Sequence, residues 1–232
     1  MNQIAKTGRA PSMPRPRGRP KSEDTAAIGV RILEVAGARF LAEGYSALAM
    51  EAVAADAKVS KPTLYARYPD KPHLFRAVLV QRSERWKKQS VLEELPLRGT
   101  LRQRLERYAT VVLDLLLESE VGAFMHIVTA EAPRFPEVAL TYFEVTVEYG
   151  LALLKRHVVN ADDVTISDQE AEEIASRLYE MLWGWRIFQL MRGLRPDEKL
   201  RRAGAQRCVR ILLQGIPLKA NKKLAGESLT HL

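Results

Sequence analysis

MEAVAADAKVSKPTLYARYPDKPHLFRAV, residues Met50 to Val78, decides how this chain folds. Met50 to Ala57 has the spacing of a short helix with Val53 and Ala54 turned inward. A link of about three residues follows, and another short helix opens after Ser60. Serine is favoured at that N-cap because its hydroxyl accepts an amide that the first helical turn leaves unpaired. Pro62 suits the same turn, where its missing N–H would have found no acceptor. Short helices joined this tightly form a helix-turn-helix.

Upstream, Ile28, Ile32, Leu33, Val35, Ala36, Phe40 and Leu41 recur at helical spacing from Thr25, with Glu23 and Asp24 suited to the positive end of the helix dipole. Gly44 is the expected stop. Downstream, the periodicity predicts helices over about Pro72 to Val91, Leu101 to Glu118, Gly122 to Ala132, Pro136 to Val159, Asp168 to Arg192 and Asp197 to Gln214. No stretch shows sustained strand alternation or a solenoid repeat, so the expected fold is all-α.

The helix-turn-helix resembles the DNA-binding domain of the TetR family of bacterial transcriptional regulators, which carries a Ser-Lys-x-Thr-Leu-Tyr-x-x-Phe-x-x-Lys pattern followed by Leu-Phe. Ser60, Lys61, Thr63, Leu64, Tyr65, Tyr68, Lys71, Leu74 and Phe75 stand in the corresponding places. The resemblance is strong from Thr25 to Leu79, and beyond that rests on the number and length of the helices. It implies an N-terminal DNA-binding domain over residues 23–71, an effector-binding and dimerisation domain over 72–215, and a loose polar tail over 216–232. Two positions depart from the pattern: Ala49 stands where Ser or Thr usually caps the first motif helix, and Lys58 holds a turn position that often has Gly. The missing cap is worth about 1 kcal/mol, and a positive φ at Lys58 would add strain.

A recognition helix presents its N-terminal residues to base edges in the major groove, while flanking residues reach phosphates and set the register. Lys61 and Thr63 are therefore the expected base readers, and Tyr65, Arg67 and Lys71 the expected phosphate donors, with Ser60 opening the helix. The partner is a double-stranded DNA operator.

The residues before this domain are strongly basic: the first 22 contain Lys6, Arg9, Arg15, Arg17, Arg19 and Lys21 and no acid. They supply most of the formal net charge of +8 and the isoelectric point near 9.7. Pro16 to Lys21, PRGRPK, resembles an AT-hook, whose Arg-Gly-Arg-Pro core lies in a narrow A·T-rich minor groove. Glycine lets the backbone approach the groove floor, and Arg17 and Arg19 respond to its negative potential. A flexible tail attracting DNA without preference is the alternative.

In the TetR family the last two long helices pair with their twins as a four-helix bundle, which points to Ile174, Leu178, Trp185, Cys208, Ile211 and Leu212 as the interface of a homodimer. The break EAPRFP, Glu131 to Pro136, is surrounded by Met125, His126, Thr129, Tyr142, Phe143 and Tyr149. With Trp185 these are the candidate lining of a pocket for a small, largely apolar effector.

Catalysis finds little support. The four histidines are scattered without metal-ligand spacing, Cys208 lies in an apolar helix, and no Gly-rich phosphate loop is present, so neither metal nor cofactor is expected. One cysteine forms no internal disulfide, and the apolar run Val111 to Leu117 is short and broken by Asp114, so a cytoplasmic protein is expected. The reading is a ligand-responsive transcriptional regulator, a repressor, binding a near-palindromic operator as a dimer. An architectural DNA-binding protein without effector, and an all-α small-molecule-binding protein or enzyme with an incidental basic arm, are the rivals.

Overall fold

The computed structural model of the chain describes residues 22–118, 120–217 and 219–220. Arg17 and Arg19 lie outside the described residues. The described chain is helical: α1 (Ser22–Ala47), α2 (Met50–Asp56), α3 (Lys61–Tyr65), α4 (Lys71–Gln89), α5 (Leu101–Glu118), α6 (Glu120–Glu131), α7 (Pro136–Tyr142), a π-helical turn (Phe143–Val147), α8 (Glu148–Val159), α9 (Asp168–Met191) and α10 (Glu198–Gln214). One two-residue ladder, β1 (Val164–Thr165) against β2 (Lys219–Ala220), is the exception; it is antiparallel and too short for alternation to reveal.

Local chemistry sets the helix ends. Gly44, at φ 83°, bends α1, and the amide of Ser46 beyond the bend donates to Glu131 Oε1 at 3.0 Å. Ala49 offers α2 no side-chain cap, and Lys58 takes φ 52° in the turn. Ser60 accepts from the Thr63 amide at 3.2 Å, and Asp70 accepts from the His73 amide at 2.9 Å with Pro72 in the first turn of α4. A reciprocal box between Ser167 and Glu170 opens α9, and Asp197 caps α10.

The head, α1 to α3, closes over Ile32, Ala36, Phe40, Val53, Ala54 and Leu64. Its core continues into the rest of the molecule through α4. Phe75 packs edge-on against Phe40 (5.0 Å between centroids) and Tyr45 (5.3 Å) and also meets Phe124 of α6 (6.4 Å), while Tyr45 meets Phe135 (5.1 Å). A buried guanidinium spans the same seam: Arg82 of α4 pairs with Glu34 of α1 (2.9 Å) and Glu120 of α6 (3.5 Å). Gly37 makes room for it, since a Cβ there would lie 2.7 Å from Arg82 Nη2.

In the larger half, α5 packs against α8, α9 and α10, holding Leu105, Tyr108, Leu113, Leu154, Leu178 and Val209 out of solvent. Two features depart from the sequence expectation. The helix expected from Pro136 to Val159 is interrupted by the π-turn, which no proline or glycine announces. The expected dimer residues also need correction: Ile174, Leu178, Cys208 and Leu212 are buried inside their own chain, and Trp185 packs on Gly204 of α10, where a Cβ would come within 2.6 Å of the indole. Of that set only Ile211 is substantially exposed, at 51%.

Candidate functional site

The residues expected to meet DNA are carried by α3 and its N-cap. Leu64 is buried and fixes the helix to the head, so Lys61 and Tyr65 emerge on the outer side. Their polar ends converge on Glu51 of α2: the Tyr65 hydroxyl donates to Glu51 Oε1 at 3.1 Å and Lys61 Nζ lies 4.0 Å from the same oxygen. The Glu51 carboxyl is held below its ordinary range by its own backbone amide, then by Tyr65 and Lys61, while Tyr65 is raised by Glu51. Ser60 and Thr63 share a hydroxyl contact of 2.8 Å in addition to the cap.

Two expected phosphate donors are engaged elsewhere. Lys71 Nζ donates to the carbonyls of Tyr45 (3.0 Å) and Ser46 (2.9 Å), capping the bent end of α1, and partial burial lowers its pKa. Arg67 donates to the carbonyl of Thr25 at 3.0 Å. In the DNA-free chain Lys61 and Tyr65 thus meet at Glu51 and Ser60 pairs with Thr63, while the charged ends of Arg67 and Lys71 bond backbone carbonyls of α1. Glu51, where Lys61 and Tyr65 meet, was not named by the sequence reading, which looked for donors to DNA and passed over acids.

The larger half holds an almost wholly apolar, partly open cavity of about 70 Å³ between α4, α5, the π-turn, α8 and α9. Trp86, Tyr108, Val112, Thr146, Tyr149 and Tyr179 form much of its wall. Tyr108 spends its hydroxyl on the Gly150 carbonyl (2.6 Å), and Gly150 lets the Tyr108 and Tyr179 rings come near the backbone. Burial drives the Tyr108 pKa well up and pushes Tyr179 up to about 12.

Of the pocket residues expected from sequence, Tyr149 alone lines this cavity. Tyr142 and Phe143 line a more open groove of about 520 Å³ with Trp183, and Tyr179 stands in the walls of both spaces. Met125 is fully buried core, and Thr129 back-bonds to the Met125 carbonyl at 2.8 Å. His126 borders a separate cleft with Arg186 and Arg195, and Trp185 is held between α9 and α10. Trp86, Tyr108 and Tyr179, which do most to shape the cavity, sit on helices whose mutual packing periodicity does not report.

Other reactive groups are built into packing. His157 is buried against Tyr108 and is pushed down to about 4 by burial first, then by Arg104, Arg156 and Arg107. Burial raises the Cys208 thiol. Among the described residues no group of His, Cys, Asp and Glu is placed to hold a metal ion, and no helix is long and apolar enough to cross a membrane.

Comparison with known proteins places this architecture. Residues 32–78 match the bacterial regulatory proteins of the TetR family, and residues 103–214 match the C-terminal domain of AefR-like transcriptional repressors. An uncharacterised HTH-type transcriptional regulator of Mycobacterium bovis is 33% identical over 95 residues, a match spanning 41% of this chain and 48% of the relative's length. Among solved structures, a protein of Mesorhizobium loti ascribed to the TetR family superposes with a TM-score of 0.67 at 24% identity, over 82% of this chain and 96% of that one. The flavonoid-responsive regulator FrrA superposes at 0.65 with the same identity, 24%, and the same coverage, 82% and 96%. With a helix-turn-helix head joined through α4 to an all-helical second half, and with both halves matched, the chain belongs to the TetR family of transcriptional regulators.

Proposed function

We propose that the chain is a repressor that binds a near-palindromic operator as a homodimer and is released by a small, largely apolar molecule. One observation carries this reading: α4 belongs to both halves. Leu74 and Phe75 sit in the core of the head, and Ser83, Trp86 and Lys87 farther along the same helix line the cavity. An occupant that shifts the end of α4 therefore shifts the head. Release reaches only as far as the occupant's preference for the released arrangement, so tenfold release needs about 1.4 kcal/mol. The name of FrrA supports a small-molecule response on this fold, although a cavity of about 70 Å³ suits an effector much smaller than a flavonoid.

Dimerisation is supported by apolar surface on the last two helices. Phe188 and Met191 of α9 are 59% and 79% exposed, Ile211 of α10 is 51% exposed, and a Cβ at Gly184 of α9 would meet no other atom. Reading a near-palindromic operator requires the pairing to set two copies of α3 about one DNA turn, roughly 34 Å, apart. Lys61 and Thr63 then read base edges and Tyr65 meets a phosphate, in the cytoplasm where bacterial DNA lies.

The test begins by selecting DNA from a random pool with the purified chain and comparing wild type with Ile211→Glu. A short symmetric site is expected, with Ile211→Glu lowering dimer content and operator affinity together. Broad A·T-rich selection without symmetry would indicate an architectural protein instead. Retention of no DNA would leave only a small-molecule-binding protein.

A further inference from the structure

Threonine inside a helix ordinarily satisfies its hydroxyl by bonding the carbonyl four residues back. Thr110 does so with Glu106 and Thr129 with Met125, each at 2.8 Å. Thr146 does not: it lies in the π-turn, and its Oγ1 is buried with no hydrogen-bond partner among the described residues. Tyr179, half-buried, stands in the same cavity wall. The Tyr179 hydroxyl bonds none of the described residues, and its raised pKa comes from burial alone.

An unmet hydroxyl in an apolar wall is costly, and π-turns are frequent where a helix has been shaped for function. Fixed charge on the wall is already spent, since Lys87 pairs with Glu84 at 2.8 Å and faces the Tyr149 ring. Space is limited too: at about 10–15 Å³ per water-sized position, a cavity of about 70 Å³ takes on the order of five to seven non-hydrogen atoms.

We propose that the effector is an uncharged single-ring compound bearing one hydroxyl, of the size of phenol, which donates to Thr146 Oγ1 and accepts from the Tyr179 hydroxyl. This rests on the reading of the cavity as the effector site. Trp86, Tyr108 and Tyr149 supply aromatic walls for the ring. The unused bonding capacity of Thr146 and Tyr179 supplies the discrimination, because a ring without the hydroxyl leaves both unmet.

Calorimetric titration and thermal unfolding of the full chain with phenol, toluene and benzoate test this. The ratio of phenol to toluene affinity should fall about tenfold in Thr146→Val and in Tyr179→Phe, with toluene binding unchanged and Thr146→Ser restoring the ratio. Benzoate should bind far more weakly than phenol. Without ligand, Thr146→Val should melt about 2–4 °C higher, since the isosteric methyl removes an unmet group. If phenol and toluene both bind but their ratio is the same in every variant, or if benzoate binds as well as phenol, the hydroxyl assignment is overturned while the cavity stands. If neither ring compound binds or stabilises wild type, the effector cavity fails with it.

Discussion

Helix α3 and the inner cavity put hydroxyl groups to opposite uses. On α3, Ser60 and Thr63 bond each other while Tyr65 bonds Glu51, so an exposed surface is internally arranged before any DNA arrives. In the cavity, Thr146 and Tyr179 lie in an apolar lining without such partners. Exposed hydroxyls gain little from bonding each other, because water competes, so their bonds serve geometry. Buried hydroxyls forfeit that alternative, so the missing partner of Thr146 is costly. On the proposed function, one region presents a shape and the other receives one.

The regions are coupled through a shared core, and the largest expected effect comes from cutting it. Phe75 is 1% exposed and touches Phe40 and Tyr45 on the head and Phe124 on α6. Phe75→Ala should cost about 3–5 kcal/mol in urea unfolding and weaken operator binding with it. Wild type should lose its head and bundle signals in one transition. Two separated transitions in wild type would mean that α4 is a tether rather than a joint, and the comparison would then describe independent parts.

How much of each region was legible in the sequence follows from the range of the contacts. The head is made by neighbours in the chain. The Ser60 cap, the proline in the first turn of α3, the missing cap at Ala49 and the strained turn at Lys58 all depend on a few adjacent residues, and each stands where the spacing placed it. The cavity is made by residues far apart: Tyr108 and Gly150 meet across 42 positions, and no local pattern encodes that. Helical periodicity showed that Ile174, Leu178, Cys208 and Leu212 had to be buried, but a helix in a bundle may be covered by its own chain or by a second one. Packing by α5 and α10 decided that for these residues. Thr146 was invisible for another reason, since an extra residue in a helical turn leaves no signature in composition.

A middle-sized effect separates the two lysines of the family pattern, both expected to meet DNA. Lys71 caps the bent end of α1 through two carbonyls, whereas the Lys61 side chain is 66% exposed. Lys71→Ala should lower the stability of the DNA-free chain by about 1.5–3 kcal/mol, because charge-assisted hydrogen bonds are lost from a partly buried site. Lys61→Ala should leave unfolding nearly unchanged while relaxing sequence preference. If it also contacts phosphate, the salt slope of binding should fall by about one unit. Equal stability of the two variants, with Lys71→Ala alone reducing the salt slope, would return Lys71 to the DNA surface.

The smallest expected effect sharpens what the internal bonding on α3 is for. Glu51 accepts from Tyr65 and lies beside Lys61, so in the free chain it offsets the cation that should meet DNA. When DNA binds, phosphate oxygens compete for the same donors, and the carboxylate becomes a like charge near the backbone. Glu51→Gln retains an acceptor for the Tyr65 hydroxyl and removes that repulsion. Affinity should rise a few-fold at low salt for every sequence tested, and the gain should shrink as salt screens it. Thermal stability should stay close to wild type, since the Glu51 side chain is exposed and keeps its acceptor. The informative contrary result is selective: if Glu51→Gln loses affinity only for sites with cytosine at one position, the carboxylate is accepting from a cytosine N4 amino group. Glu51 would then be a base reader, and its bond to Tyr65 would hold that acceptor in register.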